Sequence, residues 1–275
     1  DPKSAVSAYK KLVEVDKVKI ILGPACSSAT LAIAPLAERD NVAIISFSEA
    51  DSISQFGPGI FRVWVPNGQQ GRKLANYIHD QMGITRIAIV SVDNAFGSDI
   101  AKAFKEKFTG LGGEILIHES YDPVTKDFRS LLLRVKAKKA EGLFFASYIA
   151  DGAMVLKQAR ELNVAEKYFS GSTINSPDFF QQVGTDAEGL IFADLEDLAT
   201  EEFKQQFSAS AGIPWPGMQC GAALFYDIVL ALSRISGTFG TEVEIIKAKL
   251  HDLNEANGAS GPMSFTARGD LNRTH

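Results

Sequence analysis

The stretch IILGPACSSAT, residues 20–30, has the pattern of a buried strand followed by a short turn and the start of a helix. Ser27 or Ser28 is predicted to be the helix N-cap, because serine is favoured at that position. A helix N-terminus at the carboxyl end of a parallel strand offers free N–H groups and the positive end of the helix dipole, which suit a carboxylate. Ligands of open α/β sheets bind at that edge. The alternative is that the two serines only cap their own helix.

The same alternation of apolar runs and amphipathic stretches continues on both sides of this segment. Strands are predicted at 18–22, 42–46, 60–64, 86–92, 114–118, 142–147, 168–171 and 190–193. Helices are predicted at 3–15, 28–39, 68–81, 98–111, 128–139, 152–162 and 177–183, then at 201–210, 217–236 and 242–254 before a turn-rich tail. Strands separated by helical stretches of this length indicate parallel βαβ units with helices on both sheet faces. The sequence therefore predicts an α/β fold.

Length and composition indicate a folded chain of two lobes. At about 150 residues per domain, 275 residues correspond to roughly 1.8 domains. The 45% apolar content excludes a disordered chain. Extended segments that meet helix starts place the internal boundaries at 61–68 and 194–199.

The charge and hydropathy patterns argue against nucleic acid and membrane partners. The formal net charge is −5 with dispersed basic residues, so there is no electrostatic footprint for nucleic acid. No run approaches the roughly 18 consecutive apolar residues of a membrane span, since the longest candidate, 222–235, is interrupted by Tyr226, Asp227, Ser233 and Arg234.

Motifs for catalysis are lacking in the sequence. It contains no phosphate-binding loop, no G-x-G-x-x-G, no H-E-x-x-H and no G-x-S-x-G. Ser7 and Lys10 match S-x-x-K without the companion motifs of that chemistry. The two cysteines, Cys26 and Cys220, do not have metal-ligand spacing. We therefore expect no enzyme activity, no cofactor and no metal site.

Both ends of the chain look trimmed. The sequence begins at Asp1 without a methionine or a signal peptide and enters a helical pattern at once. Residues 263–265 and 269–271 resemble a hairpin whose second arm is cut short. We expect further residues before Asp1 and after His275.

A series of short motifs in a fixed order resembles the branched-chain amino-acid-binding proteins of bacterial ABC transporters. The motifs are GPACSS at 23–28, APLA at 34–37, ISFS at 45–48, FR at 61–62, QG at 70–71, IAIV at 87–90, FG at 96–97, DF at 127–128, KQAR at 157–160, EG at 188–189 and YD at 226–227. The similarity extends from Asp1 to about Asp270. It implies a type I periplasmic-binding-protein fold with two Rossmann-like lobes, a hinge of three crossovers and a ligand in the interlobe cleft.

The resemblance also implies the lobe boundaries and a preceding strand–helix unit. Lobe 1 would comprise 1–66 and 197–265, lobe 2 would comprise 67–196, and 266–275 would start the return crossover to lobe 2. Cys26 corresponds to a family cysteine whose disulfide partner would lie just before Asp1.

Family pocket positions can be assigned to individual residues of this chain. Ser27, with Ser28 beside it, matches the serine whose hydroxyl and amide hold the ligand carboxylate. Ser48 falls where a backbone carbonyl faces the ligand ammonium. Tyr148 matches an aromatic residue that covers the ligand, and Phe96 occupies the position of a family tyrosine without its hydroxyl.

The chain departs from the family where the ligand ammonium would bind. Ala50 replaces a threonine that bonds carboxylate and ammonium, and Ser172 replaces an acidic residue. A buried ammonium without a carboxylate is unfavourable. Either Glu49 or Asp51 substitutes for the missing acid, or the ligand is a carboxylic acid without an amine.

A structural role remains the alternative at the other assigned positions. Phe96 and Tyr148 could be core aromatic residues, and Ser48 and Ser172 could be turn residues. Trp64 is either a hinge packing residue or a pocket wall. Asn67 matches a pocket-edge position, with helix capping as the alternative.

The resemblance implies a monomeric solute-binding protein of an ABC uptake system that closes around a small carboxylate ligand and presents it to a membrane permease. Its location would be periplasmic or lipid-anchored outside the membrane. The ligand would be an apolar amino acid, or an organic acid such as an aromatic carboxylate. Two further classes remain: a ligand-sensing domain of a regulator or receptor with the same fold, and a Rossmann-like enzyme.

Overall fold

Parallel β-sheets with flanking helices form most of the chain. A computed structural model describes residues 1–217 and 221–273. Two compact units are present: one contains Asp1–Pro66 and the described part of Glu196–Thr274, and the other contains Asn67–Leu195. We call them the first and second unit.

A three-stranded parallel sheet forms the centre of the first unit. Its strands are β1 (Ile20–Leu22), β2 (Ala43–Ser46) and β3 (Ile60–Arg62), in the order β1-β2-β3. Helix α1 (Pro2–Lys10) continues as a π-helical turn, Lys11–Val15, and α2 (Ser27–Asp40) joins β1 to β2. Asn41 ends α2 in the left-handed conformation, with a φ of 54°, which asparagine tolerates better than most residues.

The rest of the first unit is helical and ends in a hairpin. Its elements are α8 (Glu201–Ala211), α9 (Ala222–Phe239), α10 (Val243–His251), β9 (Asn254–Gly258) and β10 (Gly261–Ser264). Helix α10 is shorter than predicted, because residues 254–258 pair with β10 instead of extending it. Between the predicted hairpin segments 263–265 and 269–271, the structure shows a single antiparallel bridge, Phe265 to Leu271. The described residues after 265 remain in the first unit, where Asp270 bridges to Arg62 of β3.

The second unit contains a five-stranded sheet in which all strands are parallel. The strands are β4 (Arg86–Val92), β5 (Glu114–Tyr121), β6 (Gly142–Ala146), β7 (Lys167–Ser170) and β8 (Leu190–Phe192), in the order β5-β4-β6-β7-β8. The helices are α3 (Asn67–Asn76), which continues as a π-helical turn, then α4 (Ala95–Gly110), α5 (Arg129–Lys136), α6 (Ile149–Glu161) and α7 (Pro177–Val183).

Two apolar clusters cover opposite faces of the second sheet. Ile87 and Ile89 of β4 belong to one cluster, and Ala88 and Val90 belong to the other. This follows from the alternation of side chains along a strand. Because both faces are buried, the strands are almost continuously apolar, as expected for a parallel sheet.

Helix α9 is the one described helix that is long and apolar enough to cross a membrane. A third of the residues of this helix are buried in the first unit. Its Asp227 accepts hydrogen bonds from the backbone N–H groups of Ala259 and Ser260, both at 2.7 Å, and so fixes the turn between β9 and β10. The helix therefore belongs to the packing of the first unit. Cys220, predicted in this helix, lies outside the described residues.

Candidate functional site

Three loops meet at the carboxyl edge of the first sheet. Residues 23–28 follow β1, 47–50 follow β2 and 63–65 follow β3. The loops are tied to neighbouring strands, since Gly23 N–H donates to the Ile45 carbonyl at 2.8 Å and Val63 N–H donates to the Ser46 carbonyl at 2.9 Å. We call these three loops the first-unit edge. It brings together six of the predicted residues: Ser27, Ser28, Ser48, Glu49, Ala50 and Trp64.

Helix α2 begins at the first-unit edge with Ser27, one residue earlier than the predicted start of the helix at residue 28. The N-cap is Cys26, whose carbonyl accepts from Ala29 and Thr30. The prediction that Ser27 or Ser28 caps the helix was wrong. Ser27 is already the first residue of α2, and its hydroxyl accepts from Ala50 in the loop after β2. Cys26 is a free and exposed thiol.

Ser27 is held in place without using its hydroxyl proton. The side-chain Oγ accepts from the Ala50 N–H at 3.1 Å, and the residue is only 4% exposed. Within residues 1–217 and 221–273, the N–H groups of Ser27 and Ser28 have no protein acceptor. The Ser27 hydroxyl and the two amides are therefore three donors at one helix N-terminus, which is a suitable arrangement for an anion.

A cluster of buried hydroxyl groups shapes the loop before α2. Ser46 Oγ donates to the Pro24 carbonyl at 2.9 Å, and Ser48 Oγ donates to the Ala25 carbonyl at 3.0 Å. Thr30 Oγ1 lies 2.6 Å from Ser48 Oγ. The Ser48 side chain thus positions the loop, whereas the resemblance assigns the ligand contact of Ser48 to its backbone carbonyl.

Arg62 fixes the loop after β2, a role that sequence reasoning missed. The fully buried guanidinium donates to the carbonyls of Glu49 at 3.1 Å and Ala50 at 2.6 Å, and to the Ser54 hydroxyl. Its charge is balanced by Asp270, with Nη2 to Oδ1 at 2.6 Å. Both backbone groups of Ala50 are consequently engaged, the N–H by Ser27 and the carbonyl by Arg62.

Trp64 and Asn67 are buried, and each has one polar atom without a partner. Trp64 of the first unit is 5% exposed, and its Nε1 has no acceptor among the described residues. Asn67 begins α3 in the second unit and donates from Nδ2 to the Phe96 carbonyl at 3.3 Å. Its Oδ1 receives no hydrogen bond from the described part of the chain. The Asn67 side chain thus reaches α4 rather than capping its own helix.

Two aromatic residues stack at the carboxyl edge of the second sheet. The rings of Phe96 and Tyr148 lie 4.9 Å apart with an interplanar angle of 26°. Phe96 is buried in a core cluster, whereas Tyr148 is only partly buried. Tyr148 is therefore better placed to cover a ligand than Phe96.

The start of α6 beside Tyr148 is fixed by a buried polar group. Tyr121 Oη donates to the Asp151 carboxylate, and it lies 2.7 Å from Ser147 Oγ, whose hydroxyl donates to it. Burial and the Asp151 carboxylate raise the pKa of Tyr121, so the phenol stays protonated and acts as a donor. Asp151 also accepts from the Tyr148 N–H at 3.3 Å.

Ser172 is paired with Gln70, which sequence reasoning did not include in the site. Gln70 Nε2 donates to Ser172 Oγ at 2.8 Å, and Ser172 N–H donates to Gln70 Oε1 at 3.0 Å. Both residues are buried. The position at which the resemblance implies an acidic residue thus carries a neutral pair in this chain. Among the described residues, no cluster of three or more His, Cys, Asp or Glu side chains could hold a metal ion.

Comparison with known proteins establishes the family. A sequence model described as periplasmic binding protein matches residues 1–274. The chain belongs to this family. The family resemblance derived from the sequence is confirmed, and so is the α/β fold with parallel sheets.

Sequence relatives and solved structures match nearly the whole of this chain. It is 24% identical over 277 residues to Leu/Ile/Val-binding protein homolog 3 of Brucella melitensis, covering 98% of this chain and 74% of the relative. The leucine-binding protein LivK of Thermotoga maritima superposes with a TM-score of 0.91 at 24% identity, covering 98% and 79% of the two chains. A solute-binding protein from R. palustris in complex with benzoate superposes with a TM-score of 0.87 at 20% identity, covering 98% and 77%. These structures share the type I fold.

Proposed function

We propose that this periplasmic binding protein captures a small carboxylate ligand for an ABC uptake system. The observation that carries the proposal is the set of three donors at the start of α2. The Ser27 hydroxyl and the Ser27 and Ser28 amides can all donate to one carboxylate, and the helix dipole adds to the attraction.

The rigidity of the first-unit edge supports this role. Ser27 is bonded to Ala50, Ala50 is bonded to Arg62, and Arg62 is bonded to Asp270. Donors held in this way need no rearrangement when the ligand arrives, so less free energy is lost in ordering them. The Arg62 charge is already neutralised by Asp270, so recognition of the carboxylate depends on neutral donors.

Two ligand classes fit the site, and they differ in the amine. Amino acids are favoured by the relatives named for leucine, isoleucine and valine. Organic acids without an amine are favoured by the neutral Ser172–Gln70 pair, because an ammonium there would lack a carboxylate partner. The neighbour in complex with benzoate supports the second class.

The remaining parts of the proposal extend the family resemblance to this chain. We infer from the family resemblance that Asn67 and Tyr148 are the ligand-contacting residues of the second unit, and the stacked Phe96 supports the Tyr148 ring. Ligand binding shifts a conformational equilibrium instead of driving a reaction, so the protein is a receptor and not an enzyme. A periplasmic or lipid-anchored monomer would then deliver the ligand to the permease.

A panel of acids with matched amides tests the proposal. Leucine, 4-methylpentanoate and benzoate are compared with leucinamide, 4-methylpentanamide and benzamide in thermal-shift and calorimetric titrations. A ligand at 100 times its Kd stabilises the protein by about 2.7 kcal/mol. We expect at least one acid to bind and its amide to bind at least tenfold more weakly. Equal binding of an acid and its amide would contradict carboxylate recognition.

The same panel separates the two ligand classes. Leucine and 4-methylpentanoate differ only in the amine. If the ammonium is recognised through Glu49 or Asp51, leucine will bind more tightly. If the ligand has no amine, 4-methylpentanoate or benzoate will bind more tightly, because the ammonium of leucine would be buried without a partner.

A further inference from the structure

The indole N–H of Trp64 is a buried hydrogen-bond donor without an acceptor among residues 1–217 and 221–273. Trp64 is 5% exposed, and Nε1 is not bonded to any described residue. The other tryptophan, Trp215, also lies in the first unit, and its Nε1 donates to Asp197 Oδ2 at 3.0 Å. The two tryptophans thus provide an internal comparison between an unpaired and a paired indole.

Buried indole N–H groups normally have a partner, because an unmade hydrogen bond in a buried position is unfavourable. A tryptophan that served only for packing could be replaced there by phenylalanine without that cost. The unpaired donor therefore points to an acceptor that is supplied from outside the chain.

The place of Trp64 in the fold indicates what supplies the acceptor. Trp64 lies two residues beyond β3, and the preceding residue, Val63, is bonded to the end of β2. Ser27 follows β1 at the same edge of the same sheet. Two strand spacings of roughly 4.8 Å separate β1 from β3, or about 10 Å. A ligand the size of a single ring or a short amino acid can extend from one group towards the other.

We propose that Trp64 donates a hydrogen bond to a second oxygen atom of the ligand, distinct from the carboxylate bound at the start of α2. This inference rests on the proposed function and narrows its ligand class. The preferred ligand is a small acid with a hydroxyl, carbonyl or further carboxylate oxygen. An acid with a purely hydrocarbon tail would leave the indole N–H unpaired, and such a site discriminates against it.

Pairs of acids in which one member carries an additional oxygen-bearing group test this proposal by calorimetry. Valine is compared with threonine, leucine with asparagine, and benzoate with its 2-, 3- and 4-hydroxy derivatives. We expect at least one oxygen-bearing acid to bind the wild-type protein tenfold or more tightly than its hydrocarbon counterpart. In Trp64→Phe this ratio should fall to within about threefold of unity, whereas Trp215→Phe, the matched control, should retain the wild-type ratio.

A measurement on the native side chain covers the case in which Trp64→Phe does not fold. In ¹⁵N-labelled protein the spectrum of Trp215→Phe assigns the two indole resonances. We expect the Trp64 N–H proton to move downfield with the oxygen-bearing acid and not with its hydrocarbon counterpart.

Three results would overturn the inference: preference for the hydrocarbon member in every pair, a ratio unchanged by Trp64→Phe, or equal indole shifts with both members of the preferred pair. In each of them acids still bind, so the proposed function stands. Binding of no acid at all to the wild-type protein would instead refute the proposed function, and this inference with it.

Discussion

Replacing Asp270 by Asn should destabilise the first unit and loosen the loop that supports Ser27. The change keeps the shape of the side chain and removes the charge that balances the buried Arg62. Asp270 Oδ1 accepts from Arg62 Nε at 3.0 Å and Nη2 at 2.6 Å, and also from Ser54 at 2.9 Å. Breaking a buried ion pair by removing one partner costs about 3–5 kcal/mol. Because the Asp270 side chain is 15% exposed, we expect a loss near the lower end, about 3 kcal/mol.

Urea unfolding followed by tryptophan fluorescence measures this loss, because both tryptophans of the chain lie in the first unit. Asp16→Asn is the matched control. It removes an exposed ion pair with Lys11 in the same unit, and such pairs contribute about 1 kcal/mol or less. If Asp270→Asn loses no more stability than Asp16→Asn, Arg62 does not depend on Asp270 and the account of the loop is refuted.

Three further predictions concern the binding donors, the second unit and its pH dependence. Ser27→Ala should weaken binding of the acid by about 1–3 kcal/mol, because a charged hydrogen bond is lost. The control variant Thr200→Ala removes only the cap of α8, so it should change the stability of the protein but not its affinity for the acid. Tyr148→Ala should weaken binding more than Tyr77→Ala, an exposed tyrosine of the same unit; equal effects would remove Tyr148 from the site. Burial lowers the pKa of His118 from 6.5, so folding disfavours its protonation, and the stability of the protein should fall as the pH drops through about 6.5. In circular-dichroism melts, His118→Gln should lose less stability than the wild-type protein over this pH drop. Equal losses of stability in the two proteins would contradict this prediction.

Most of the fold could be predicted from the sequence because the local patterns are strong. Each of the eight predicted parallel strands is present within three residues of its predicted ends. The hairpin of β9 and β10 was missed because residues 254–258, NEANG, have no apolar alternation. That hairpin depends on Asp227, a distant residue that fixes its turn.

The candidate site was only partly predictable, since its supports come from distant parts of the chain. Ser27 could be found from the pattern of strand, turn and helix. The partners of Arg62 and Ser172 could not, because Asp270 and Gln70 lie 208 and 102 positions away from them in the sequence. A charged residue at the end of a buried strand was the one local sign that Arg62 needs a partner.

The central claim is that the ligand carboxylate binds the backbone amides at the start of α2. Nuclear magnetic resonance titration of ¹⁵N-labelled protein with the tightest acid of the panel tests it directly. We expect the Ser27 and Ser28 N–H protons to move downfield and to saturate with the Kd measured by calorimetry. If calorimetry shows binding while these two resonances stay in place, the carboxylate is bound elsewhere.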